Sequence, residues 1–80
     1  MKVPVIKSLV QAYSVDALRH AEQNLVDGIP IGIAVEGEDE GQQLTHVMAA
    51  IFILEQMDQK AHTFQEALRL YSQKVRASLS

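Results

Sequence analysis

Four carboxylates fall within six consecutive positions of this chain, in the segment Glu36-Gly-Glu-Asp-Glu-Gly41. The segment carries a charge of −4, whereas residues 1–35 sum to zero and residues 42–80 sum to +1, which gives the net charge of −3. Carboxylates at this density can ligate a divalent cation, bind a basic partner, or form a solvated turn that favours the start of a following helix. We name residues 36–41 the acidic loop. The candidate binding residues are Glu36, Glu38, Asp39, Glu40 and His46.

A metal site is the first chemical interpretation of the acidic loop. The loop begins like a calcium-binding EF-hand, with acidic residues at positions 1, 3 and 5 and glycine at position 6, but its position 12 is Val47 rather than glutamate. A looser divalent-metal site made of Glu38, Glu40 and His46 stays an alternative, since carboxylate and imidazole are both common metal ligands. Our main expectation is that the protein has no metal and no cofactor.

His46 has both a chemical and a structural interpretation. Its imidazole could accept a proton, ligate a metal or respond to pH. No second ligand follows it at three or four residues, so we expect instead a structural hydrogen bond at the edge of the core. The spacing Gln43-x-x-His46 matches the Glu-x-x-His of di-iron helix bundles, but glutamine stands where the carboxylate is required.

Nucleophilic catalysis and phosphate binding have no support in the sequence. The chain has no cysteine, and no serine lies in a Gly-x-Ser-x-Gly elbow. Gly28-Ile-Pro-Ile-Gly32 lacks both the spacing and the following Lys-Ser/Thr of a phosphate loop. We therefore expect a protein that is not an enzyme, with a metal-dependent or acid–base activity at the acidic loop as the alternative.

The length of the chain predicts one domain that needs additional stabilisation. Residues 1–80 have the size of a single small domain, and the core of such a domain alone gives marginal stability. Small folds compensate with disulfides, a metal or a partner subunit. Because the chain has no cysteine, we expect a partner subunit, in the form of a homodimer.

Charge and hydropathy exclude two classes of partner. A pI near 5.4 and only seven scattered basic residues argue against nucleic acid, which requires a basic surface. The longest apolar run has eight residues, whereas a membrane span needs about 20. The first seven residues also lack the apolar core of a signal peptide. We expect a cytoplasmic protein with no membrane partner.

The first half of the chain predicts helical elements followed by a short strand. Pro4 suits either the first turn of a helix over residues 5–13 or an edge strand over residues 2–6. Ser14 predicts the N-cap of a helix over Val15–Val26, with Gly28 at its C-terminus. The alternating β-branched residues of Ile29-Pro-Ile-Gly-Ile-Ala-Val35 predict a strand, which must pair with residues 3–6 or with a second chain.

The second half predicts two helices. One covers residues 42–59, and the negative charge of Asp39 or Glu40 at its start suits the helix dipole. Its middle is apolar almost all round, which indicates burial on several sides. Because three short neighbours would not cover such a helix, we infer a subunit interface. The predicted interface residues are Ile31, Ile33, Val47, Ile51, Phe52 and Leu54.

The last helix has the clearest sequence signals. Thr63-Phe-Gln-Glu66 fits a capping box, with Thr63 as the cap and Glu66 reaching back to it. Apolar residues then recur at helical spacing. They are Phe64, Leu68, Tyr71, Val75 and Leu79. Together the elements predict an α+β fold that is mostly helical, with three to four helices and one short strand region, completed by strand or helix pairing in a homodimer.

The run Gly37-Glu-Asp-Glu-Gly-x-x-Leu-Thr-His46, preceded by Lys2-Val-Pro-Val-Ile-Lys7, resembles a family of short uncharacterised bacterial proteins. The resemblance covers essentially the whole chain and implies a small bacterial cytoplasmic protein without an assigned activity. It supplies no catalytic residues. The sequence thus predicts a small non-enzymatic binding or assembly protein, an obligate homodimer that presents its acidic loop to a basic protein partner.

Overall fold

The structure, a computed structural model, describes residues 2–79. Over this range the chain forms four α-helices, joined by two short connections and one long loop. The helices are α1 (Val3–Ala12), α2 (Val15–Val26), α3 (Glu40–Lys60) and α4 (Phe64–Leu79). The long loop covers residues 27–39 and contains the first four residues of the acidic loop.

The α+β prediction is wrong, because the described part of the chain contains no strand. Residues 29–35, predicted as the strand, lie in the long loop. Their side chains still alternate: Ile31, Ile33 and Val35 are half-buried against the core, while Gly32 and Ala34 between them are exposed. The period of two therefore comes from an irregular segment that rests one side on the helices, and not from pairing with another strand.

The N-terminal segment is helical, which excludes the edge-strand alternative for residues 2–6. Pro4 lies in the first turn of α1, where the missing amide hydrogen would have no helical partner. Val5, Ile6 and Leu9 form the buried side of α1.

The bounds predicted for α2 are confirmed, and so are the signals at its ends. The amide of Ala17 donates to Oγ of Ser14 over 3.2 Å, as expected of an N-cap. At the other end Gly28 has a φ of 71°, and the amide of Ile29 donates to the carbonyl of Asn24. This is the Schellman arrangement, in which glycine adopts the left-handed conformation that ends the helix.

Helix α3 is the centre of the fold, because it packs against α1, α2 and α4. Val47 and Ile53 are 0% exposed, and Ile51 is 9% exposed. These side chains are covered by helices of the same chain, so their burial does not require a second copy. The apolar surface of α3 that the sequence assigned to an interface is thus largely used inside the chain.

The capping box at the start of α4 is confirmed. The amide of Thr63 donates to Oε1 of Glu66 over 2.9 Å, and the amide of Glu66 donates to Oγ1 of Thr63 over 3.2 Å. The hydrogen bond from the Thr63 backbone stabilises the carboxylate and holds the pKa of Glu66 below its usual value. Of the predicted apolar stripe, Phe64, Leu68 and Tyr71 pack against the core. Val75 is 36% exposed, and the side chain of Leu79 lies outside the described residues.

Replacing Thr63 by alanine removes the hydroxyl that accepts from the Glu66 amide. We expect the free energy of unfolding to fall by about 1 kcal/mol, which lowers the melting temperature by about 4–8 °C in a domain of this size. Thr63→Ser keeps the hydroxyl and serves as the control. Thermal melts at pH 7 measure the effect, and equal melting temperatures for the alanine variant and the wild type would contradict the capping role.

Candidate functional site

The acidic loop is joined to the first turn of α3 by hydrogen bonds. The amide of Gln42 donates to Oδ1 of Asp39 over 2.8 Å, so Asp39 is the N-cap of α3. The amide of Glu38 donates to Oε1 of Gln42 over 3.1 Å. Glu40 is the first residue of α3, where its negative charge suits the helix dipole. The loop therefore has a defined position on the helix end.

The side chains of Glu36, Glu38, Asp39 and Glu40 are all exposed. None of these carboxylates forms an ion pair with another residue of the range 2–79. Among these four carboxylates, only that of Asp39 accepts a hydrogen bond from another residue of the range 2–79, at the N-cap of α3. The other three carboxylates are solvated, and they lie close together on a short stretch of backbone.

His46 is the buried residue of the site, with 2% of its surface exposed. Its Nδ1 lies 2.8 Å from the carbonyl oxygen of Glu36, and its Nε2 lies 3.1 Å from the backbone nitrogen of Lys2. An amide only donates, so Nε2 accepts from Lys2 and Nδ1 carries the hydrogen that is donated to Glu36. The neutral ring with its hydrogen on Nδ1 thus joins the start of α1, the acidic loop and α3.

Gly37 brings the loop backbone close to α3. A Cβ atom at this position would lie 2.9 Å from the backbone nitrogen of Gln43 and 2.9 Å from its Cγ atom. These distances are shorter than non-bonded contacts allow, so only glycine fits. Nε2 of Gln43 also reaches the carbonyl oxygen of Val35, at 3.4 Å. Residues 35–37 are therefore held against the helix by His46, Gln43 and the absence of a side chain at Gly37.

The metal alternative made of Glu38, Glu40 and His46 loses its imidazole ligand. Both ring nitrogens of His46 are occupied by backbone groups, so neither has a lone pair available for a cation. No group of three or more His, Asp or Glu residues within the described range is arranged to hold a metal ion. The same two hydrogen bonds remove His46 as the base of an acid–base activity.

A groove between α1 and the long loop has no counterpart in the sequence analysis. It has a volume of about 450 Å³, and Val5, Ser8 and Leu9 of α1 face Ala34, Val35 and Glu36 of the loop across it. We name it the α1 groove. Sequence reasoning missed it because residues 29–35 were assigned to a strand, which would have placed them beside another strand rather than along a helix.

The predicted interface residues occupy two environments. Val47 and Ile51 lie in the core, while Ile31 and Ile33 are half-buried against that core. Phe52 and Leu54 are also half-buried. The ring of Phe52 lies 5.5 Å from that of Tyr71 and 4.9 Å from the ammonium of Lys74. Met48, on the same helix, is 49% exposed.

Replacing His46 by phenylalanine keeps the ring but leaves the Lys2 amide and the Glu36 carbonyl without partners. Both hydrogen bonds are only partly buried, so each costs about 0.5–1.5 kcal/mol when it is lost, and we expect the free energy of unfolding to fall by about 1–3 kcal/mol. His46→Asn can still donate to Glu36 and should lose about half as much. Chemical denaturation measures both variants.

The same geometry fixes the tautomer of His46. In the wild type, nitrogen-detected NMR should find the imidazole hydrogen on Nδ1. A ring with its hydrogen on Nε2, or a phenylalanine variant as stable as the wild type, would contradict the two hydrogen bonds.

No helix within residues 2–79 is long and apolar enough to cross a membrane.

Comparison with known proteins adds a family but no function. No curated protein and no solved structure matches the chain. The sequence model of a family of unknown function, DUF6952, matches residues 1–80, which confirms the family resemblance apart from its bacterial origin. The chain therefore belongs to the DUF6952 family.

Proposed function

We propose that this chain is a small non-enzymatic binding or assembly protein of the cytoplasm, and that it presents the acidic loop to a basic protein partner. The observation that carries the proposal is a set of solvated carboxylates on a backbone that is fixed to the fold. Glu36, Glu38 and Glu40 are exposed and have no ion-pair partner among the described residues. A cationic partner would supply the missing countercharges.

The anchoring of the loop favours recognition over a purely solubilising role. A flexible acidic turn would lose conformational entropy when a partner bound it, and that loss weakens binding. Here the buried ring of His46 and the cap at Asp39 hold the backbone before any partner arrives. The carboxylates therefore lose less conformational freedom on binding than those of a mobile segment.

A homodimer is the second part of the proposal. Its support is no longer Val47 or Ile51, which the chain covers by itself. The support is an apolar row on one side of α3, where Met48 is 49% exposed and Phe52, one turn further, is half-buried. Residues four apart lie on the same helix face, so these two side chains would meet a second copy together.

Neutralising the acidic loop tests whether its carboxylates bind a basic partner. The variant Glu36→Gln/Glu38→Gln/Glu40→Gln leaves the cap residue Asp39 unchanged. With a lysine-rich decapeptide as the probe, we expect binding that weakens as salt is added. At low salt the variant should bind roughly 3- to 150-fold more weakly, because each of the three exposed charge pairs contributes about 0.2–1 kcal/mol.

The matched control removes the same number of charges elsewhere, by Glu22→Gln/Asp27→Asn/Asp58→Asn. Fluorescence anisotropy of the labelled peptide at two salt concentrations measures all three proteins. If the control variant loses as much affinity as the loop variant, net charge rather than the acidic loop governs binding, and the proposal fails.

A substitution at Met48 tests the proposed homodimer. Ile51→Asp does not discriminate, because it places a charge in the chain's own core and unfolds a monomer and a dimer alike. Met48→Lys changes an exposed side chain and should convert a dimer into a folded monomer. Val26→Lys, at a position that is 65% exposed on α2, is the control. Light scattering across a range of protein concentrations gives the mass, and a monomeric wild type would overturn the homodimer.

A further inference from the structure

The backbone of residues 33–36, along the α1 groove, has hydrogen-bonding groups without partners. No described residue accepts a hydrogen bond from the four amides, and none donates to the carbonyls of Ile33 and Ala34. The carbonyls of Val35 and Glu36, in contrast, accept from Gln43 and His46. The segment is thus fixed to α3 at its end and is unpaired along the rest of its length.

The accessibility of Ala34 makes this unpaired backbone available to another chain. Ala34 is exposed and carries a single methyl group, while Ile33 and Val35 on either side are half-buried against the core. Both backbone groups of Ala34 lack partners among the described residues. Residues 33–36 do not form a strand, but exposed and unpaired backbone of this kind can still pair with an extended peptide.

The α1 groove lies beside that unpaired backbone and has an apolar floor. Val5 and Leu9 line it, and because they are 7% and 3% exposed, only a small part of each side chain faces the groove. Its volume of about 450 Å³ is within the range of binding pockets, about 300–1,000 Å³. Side chains of an added strand alternate in direction, so every second one would point into the groove.

Charge decides which kind of segment fits. A smaller cavity of about 120 Å³ continues the groove, shares Val5 and Glu36 with it, and is also lined by Glu38. Lys2 lines this cavity too, but the adjoining acidic loop carries a charge of −4 in total. The acidic loop of a second copy does not fit here, because like charges oppose its approach. A segment with Lys or Arg beside apolar residues is complementary.

We propose that the α1 groove binds an extended segment of a partner protein in which apolar and basic residues alternate, and that this segment pairs as a strand with the backbone at Ala34. The inference rests on the proposed function and specifies it. Apolar side chains of the segment occupy the groove above Val5 and Leu9, and its basic side chains reach Glu36 and Glu38.

The probe is the blocked peptide Val-Lys-Val-Lys-Val, titrated into the ¹⁵N-labelled full chain. We expect NMR shifts at the amides of residues 33–36 and of Ser8 and Leu9, together with slower hydrogen exchange at the Ala34 amide. Two control peptides are used. Val-Glu-Val-Glu-Val should not bind, and a version methylated on alternate backbone nitrogens should bind at least tenfold more weakly, because it cannot pair as a strand.

Ser8→Trp tests the groove itself, because Ser8 is exposed and a bulky ring there fills the groove without entering the core. We expect at least a tenfold loss of peptide affinity. Gln23→Trp places the same ring on the exposed surface of α2 and should bind as the wild type does. The methylated peptide probes the unmodified protein, so the test stands even if the tryptophan variant does not fold.

Three results would overturn the inference, and each contradicts a different part of it. If the NMR shifts are confined to residues 38–40 and do not change in Ser8→Trp, the peptide binds the acidic loop and not the α1 groove. If no basic peptide binds, both the binding role of the α1 groove and the proposed function are wrong. Amide shifts at residues 33–36 that grow with protein concentration in the absence of peptide identify a second copy as the occupant.

Discussion

Two hydrogen bonds of one buried imidazole determine where the candidate site lies. His46 reaches from α3 to the backbone of Lys2 on one side and of Glu36 on the other, and so joins segments that are 44 and 10 residues away along the chain. The long loop contains 13 residues without regular structure, and loops of that length are usually mobile unless something holds them. Here the ring holds the loop at the point where the acidic segment begins, and its carboxylates can therefore act as a fixed surface.

The apolar character of α3 determines how the other three helices are arranged. A helix that is apolar almost all round must be covered on several sides, and α1, α2 and α4 supply that cover. Small residues make the close packing possible, since Ala49 and Ala50 of α3 and Ala67 of α4 are all 0% exposed. The apolar surface of α3 that remains exposed is narrow and centres on Met48. Any subunit contact would therefore add to a core that is already complete, rather than create one.

Local signals in the sequence predicted the helices well, because each cap depends on residues only a few positions apart. Ser14 and Thr63 cap their helices through side chains that bond three residues onward, and such spacing is visible in the sequence. The strand was predicted wrongly because a period of two reports only that alternate side chains are buried. It does not reveal whether the backbone pairs with a strand. The partners of His46 were not predictable for a related reason, since nothing local indicates a contact 44 residues away.

The failure of residues 29–35 to form a strand connects the fold to the proposed recognition. Pro30 has no amide hydrogen to donate, and Gly32 has a φ of 82°, which interrupts an extended backbone. Pairing within the chain is therefore disfavoured, and no residue of the range 2–79 accepts a hydrogen bond from the amides of residues 33–36. Exposed and unpaired backbone can accept an extended segment of another chain. The acidic loop follows this backbone directly in the sequence, and under the proposed function its negative charge would favour a basic segment.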